Sequence, residues 1–131
     1  MVFLRKNNMI LFRYYDKNNR LDMAWYDSSN IVYSECDDNE NALKTLRIVF
    51  KTGDMYEYKE VDVKDYLMFM AGGSDGSNGK AFYKFIRPKY KFEKKEKVDF
   101  DLLSERMKHF KEIKQKETEK TEEPEVENTD S

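Results

Sequence analysis

The stretch LRIVFKTGDMYEYKEV, residues 46–61, constrains the fold more tightly than any other part of the chain. Two runs rich in β-branched and aromatic residues flank KTGD, where Gly53 supplies the positive φ that a short hairpin turn wants. The spacing therefore predicts an antiparallel pair, 46–50 with 55–61. Upstream, MILFRYY (9–15) and RLDMAWYD (20–27) flank the turn-prone cluster DKNN and predict a second hairpin. IVYSE (31–35) adds a third strand between the two hairpins, followed by the polar loop CDDNENALK.

Helical periodicity takes over after residue 61. Asp62 is a capping residue ahead of Val63, Tyr66, Leu67, Met70 and Ala71, which fall at i, i+3, i+4, i+7 and i+8, and Gly72 or Gly73 ends the run. After the loop GGSDGSNG, a second helix from about Lys80 places Phe82, Phe85 and Ile86 on one side and Lys80, Lys84 and Arg87 on the other, until Pro88 stops it. KYKF (89–92) alternates as an extended segment does. From Asp99 to about Glu117, Leu103, Met107 and Phe110 recur at helical spacing with a thin apolar stripe. TEKTEEPEVENTDS (118–131) has one aliphatic residue and no aromatic one, so disorder is expected there. The fold class predicted is α+β: an antiparallel sheet of about five strands with two short helices packed on one face, plus a C-terminal amphipathic helix. The corresponding division is 1–23 as a strand or hairpin extension, 24–92 as the domain, 93–117 as basic linker and amphipathic helix, and 118–131 as acidic tail.

Composition excludes several classes of function. With 131 residues the chain has room for one modest core. His109 is the only histidine and Cys36 the only cysteine, so a catalytic triad or a Cys/His zinc site has too few members. No catalytic residue, metal or cofactor is expected, and the protein is read as a non-enzyme. GGSDGSNGK has Ser74 where a phosphate-binding loop needs its first glycine and Ala81 where it needs Ser or Thr. Ser77 or Asn78 capping the second helix explains that loop, although an anion at the first-turn amides beside Lys80 remains open. Asp37, Asp38 and Glu40 read as solvated loop acids. The N-terminal apolar runs are broken by Arg5, Lys6 and Arg13, and no stretch approaches the ~18 apolar residues that span a bilayer. With its single cysteine, the chain is expected in the cytoplasm, away from membranes.

SSNI (28–31), LRIVFKTGDMYEY (46–58), the helix at 63–71 and GKAFYKFIRPKY (79–90), taken in this order, resemble the KTSC domain family. That module is named for the C-terminus of some lysyl-tRNA synthetases and also occurs alone in bacterial and phage proteins. Ser28, Ser29 and Ile31 match the family's start, Gly53, Tyr56 and Tyr58 its centre, and Phe82, Ile86, Arg87 and Tyr90 its close. The resemblance covers about residues 24–92. Asp62 stands where the family usually has Pro, and the loops at 36–45 and 72–79 are longer than typical. What the resemblance implies about function is RNA binding, suggested by the synthetase context.

The net charge of −2 hides two opposed blocks. Residues 118–131 hold six acids against Lys120 alone, whereas 80–97 hold eight cations against Glu93 and Glu96. Lys80, Lys84, Arg87, Lys89 and Lys91 are therefore candidate ligand-binding residues, with Lys94, Lys95 and Lys97 extending a basic strip suited to a nucleic-acid backbone. Tyr56 and Tyr58 share one strand face and, with Tyr90, are candidate stacking rings. Two readings of that face stay open: rings exposed to bases, or core beneath the two helices, which need somewhere to dock. The leading expectation is a non-catalytic module that binds RNA or another nucleic acid. The alternatives are a protein-interaction or self-association module using the 100–113 stripe or a sheet edge, and sequestration of a small nucleotide in a closed pocket near 72–80.

Overall fold

The computed structural model describes residues 9–28, 30–38, 43–72 and 78–130, with side chains described within 10–118. The chain divides into two compact units, the first ending at Asp99 and the second beginning at Phe100. Within the first, the described strands are β1 (Met9–Asp16), β2 (Leu21–Asp27), β3 (Ile31–Asp37), β4 (Leu43–Phe50), β5 (Met55–Asp62) and β6 (Phe92–Lys94). They pair antiparallel in chain order as one sheet. The α+β architecture is as expected, with one strand more, because the extended segment after Pro88 ends in β6 on the edge of β5.

Between β5 and β6 the chain forms α1 (Val63–Ala71), α2 (Asn78–Ala81) and a π-helical turn, Phe82–Ile86. Asp62 caps α1 by accepting from the Lys64 amide, and Gly72 closes it at φ 81°. The buried stripe is Tyr66, Phe69 and Met70. Leu67, expected inward, is 55% exposed. The reason is area: turning the helix toward Phe69 removes an aromatic ring from water instead of a smaller aliphatic chain. Asn78 does not serve its own helix; its buried side-chain amide donates to the Phe69 and Met70 carbonyls, 2.6 and 3.2 Å away, at the end of α1. Ser77, the other expected cap, lies outside the described residues, as do Ser29, Gly73 and Glu40.

Register assigns the faces. Ala24, Ser34, Ile48 and Tyr56 form one row across the sheet, and Asp22, Cys36, Leu46 and Tyr58 form the next. Both rows point to one side. There they meet Tyr66, Phe69 and Met70 of α1 and Ala81, Phe82 and Ile86 of the second helical stretch in one core. Burial pushes the Cys36 thiol up to about 12. Odd rows point the other way, and on that face the Arg47 guanidinium meets Glu35 (2.5 Å), Asp37 (2.6 Å) and Glu57 (3.3 Å), tying β3, β4 and β5 together. Asp37 is thus an ion-pair partner, and Asp38 accepts from the Tyr15 hydroxyl at 2.5 Å.

The second unit is α3, Phe100–Asp130. Its helical backbone runs through the segment expected as an acidic tail, whose side chains from 119 onward lie outside the described residues. Among the described residues no helix is long and apolar enough to cross a membrane.

Candidate functional site

Three segments of the first unit converge on a cleft of about 340 Å³. Asn30 comes from the β2–β3 turn, Phe50, Lys51, Thr52, Asp54, Tyr56 and Tyr58 from the β4–β5 hairpin, and Phe82, Tyr83 and Arg87 from the π-turn. Backbone hydrogen bonds fix the hairpin end: Gly53 N to Phe50 O (2.8 Å), Phe50 N to Asp54 O (3.0 Å) and Lys51 N to Asn30 O (2.9 Å). Gly53 sits at φ 91°, where side chains are disfavoured, and this lets the turn reverse within four residues.

The opposite wall depends on the widened turn. Arg87 N donates to Phe82 O at 2.9 Å, five residues back, in place of the usual four. The extra residue per turn rotates Phe85 off the buried face, so it is only half-buried, while Phe82 and Ile86 stay inside. Tyr83 and Arg87 are carried to the cleft, with the guanidinium 5.5 Å from the Tyr83 ring centroid, within cation–π range. Such turns are rare and gather at functional sites.

The cleft is floored by rings. Phe82 meets Tyr58 edge-on at 5.7 Å and Phe50 at 5.4 Å, and Phe50 meets Tyr56 at 5.5 Å. Phe92 of β6 stacks on Tyr56 at 4.9 Å with planes 2° apart. One face of Tyr56 is therefore taken. Tyr58 is almost wholly enclosed, and burial pushes its phenol up to about 12 against the opposing pull of the Arg87 charge.

Charge on the hairpin rim is arranged around Asp54. Its Oδ2 accepts from the Thr52 hydroxyl at 2.9 Å, while its enclosed Oδ1 faces the ammonium groups of Lys97 at 3.4 Å and Lys94 at 3.7 Å. The Thr52 hydrogen bond, with those cations, holds the carboxyl below its usual range. Lys97 Nζ also donates to Thr52 O at 3.0 Å, and Val98 N to Gly53 O at 2.9 Å, so the segment after β6 is strapped to the turn.

The sequence-derived candidates divide accordingly. Tyr56, Tyr58 and Arg87 line the cleft. Tyr58 belongs to the core and Tyr56 packs against it half-buried, so the face carrying both rings serves fold and cleft together. Lys80, Lys84 and Lys91 are exposed, with the Lys84 ammonium 5.5 Å from the Phe85 ring. Lys89 pairs with Asp65 at 3.2 Å. Tyr90 donates to Asp65 at 2.5 Å and accepts from the Asp62 amide at 3.0 Å, which pins the end of the π-turn to the start of α1. Sequence reasoning missed Asn30, Phe50, Lys51, Thr52, Asp54 and Tyr83, and placed Phe82 on the packed side of its helix without assigning it to a site. A signal for two of them was present: the 53-centred turn pairs Ile48 with Tyr56, which sets Phe50 beside that ring and Lys51 at its rim.

Residues 27–90, just under half of the chain, match the KTSC domain family. No curated protein and no solved structure matches. Every cleft-lining residue falls within the matched segment, whereas β1, most of β2, β6 and α3 lie outside it.

Proposed function

We propose that this protein is a non-catalytic binding module for an anionic aromatic ligand, single-stranded RNA or another nucleic acid first, and that the cleft is where it binds. The observation that supports this most is the convergence of Tyr56, Tyr58, Phe82 and Arg87, four residues of the family pattern from distant parts of the chain, on one cleft with Lys51. The lining rings that keep open surface, Phe50, Tyr56 and Tyr83, with cations beside them suit single strands, since stacking contributes roughly 1–3 kcal/mol per base and guanidinium groups fork onto phosphates. The non-catalytic part rests on the lining: its one carboxylate, Asp54, is held ionised by Thr52 and two lysines, which makes it a weak base. In this reading the chain is a bacterial or phage member of the family that acts in the cytoplasm.

Titration of a labelled single-stranded RNA at several salt concentrations tests the reading. Affinity is expected to fall as salt rises, and Lys84→Glu with Arg87→Glu to weaken binding by about tenfold or more. Absence of binding at low salt, or indifference to the double substitution, refutes it.

A further inference from the structure

The run of cations between Lys80 and Lys97 is not a continuous strip once its partners are counted. Asp65 holds Lys89, Asp54 holds Lys94 and Lys97, and Glu57 and Glu93 hold Lys95 at 3.4 and 3.1 Å. Among the described residues no carboxylate pairs with Lys51, Lys84, Arg87 or Lys91, and of these only Lys51 and Arg87 line the cleft. The cleft itself lies at the small end of the range for ligand sites.

Resting on the nucleic-acid reading above, we infer that the unit recognised is one nucleoside phosphate: a single base among the cleft rings, its phosphate at Lys51 and Arg87, and the lysines at 94–97 outside the footprint. Asp54 sets that limit. Facing the cleft from the hairpin and paired with both Lys94 and Lys97, its carboxylate offsets one of the two positive charges on the surface that a longer backbone would follow. The same chemistry is offered by a free nucleotide and by one unstacked residue of a single strand.

Counterion release turns this into a number. One phosphate neutralised gives a log K against log salt slope of about −0.7 for a single strand, whereas eight would give about −5.6. The test uses the full chain, a labelled oligoadenylate dodecamer of RNA and unlabelled adenosine 5′-monophosphate as competitor. The expected results are a slope between about −0.5 and −1.5 and displacement of the dodecamer by the mononucleotide. Lys94→Ala with Lys97→Ala should change dodecamer affinity by less than about twofold, because those ammonium groups lie outside the one-nucleotide footprint. Asp54→Asn, which removes the carboxylate that offsets one of the two lysines, should steepen the dodecamer slope by about −0.7.

Binding of adenosine 5′-monophosphate without the dodecamer identifies the free nucleotide as the source; binding of both identifies a strand. A slope steeper than about −4, a tenfold loss from the double lysine substitution, or a bound dodecamer that the mononucleotide fails to displace overturns the single-nucleotide inference alone. Failure of both probes to bind at low salt overturns the nucleic-acid reading and this inference with it.

Discussion

At the residue scale, Tyr58 shows how one side chain serves both packing and cleft. Its ring is enclosed by Phe82 and Phe92, yet it lines the cleft. Burial raises its phenol from the ordinary value near 10 to about 12. A group whose folded pKa lies above its unfolded one contributes stability that is whole below the unfolded value and disappears as pH rises through the folded one. Tyr58 therefore opposes unfolding up to about pH 10 and stops doing so by about pH 12. Denaturant midpoints of wild type and Tyr58→Phe, followed by circular dichroism from pH 8 to pH 12, should converge or cross over that window. Parallel curves across it would mean that the phenol is not burial-shifted. At neutral pH the phenylalanine variant should lie within about 1 kcal/mol of wild type, since no hydrogen bond of the hydroxyl is lost among the described residues.

At the element scale, what was legible in the sequence was what local physics decides. The β4–β5 hairpin follows from alternation and the Gly53 turn, and the ends of α1 follow from Asp62 and Gly72. The facing of α1 was not legible, because Val63–Tyr66–Leu67–Met70 and Tyr66–Phe69–Met70 both satisfy helical spacing, and only the sheet beneath distinguishes them. β6 escaped because three residues carry no periodicity and its partner lies more than thirty positions upstream. The site divides in the same way. Tyr56, Tyr58 and Arg87 could be read from the motif, but a run of lysines does not announce that Asp54, some forty residues earlier, holds two of them. Nor does a helix-spaced FYKFI reveal a turn closed five residues back, which is what brings Arg87 to the cleft.

At the scale of the whole molecule, the sheet is larger than the family segment. β2 contributes Ala24 and Tyr26 to the core, and the Tyr26 hydroxyl meets Ser34 Oγ at 2.7 Å and Met70 Sδ at 3.4 Å, joining β2 to β3 and α1. β6 covers the edge of β5 and supplies Phe92 against Tyr56. A fragment restricted to 27–90 loses both flanking contributions and exposes two edges of an aromatic-rich sheet. It should fail to show a cooperative thermal transition by circular dichroism, whereas 9–99 should show one. A cooperative 27–90 fragment would mean that the flanking strands are accessory to the core. The central claim concerns the cleft between the β4–β5 hairpin and the π-turn, and amide chemical-shift mapping with adenosine 5′-monophosphate tests it most directly. Perturbations should gather at Asn30, at Phe50 to Tyr58 and at Phe82 to Arg87. Shifts confined to residues 94–97 and α3, or none at all at millimolar nucleotide, would contradict it.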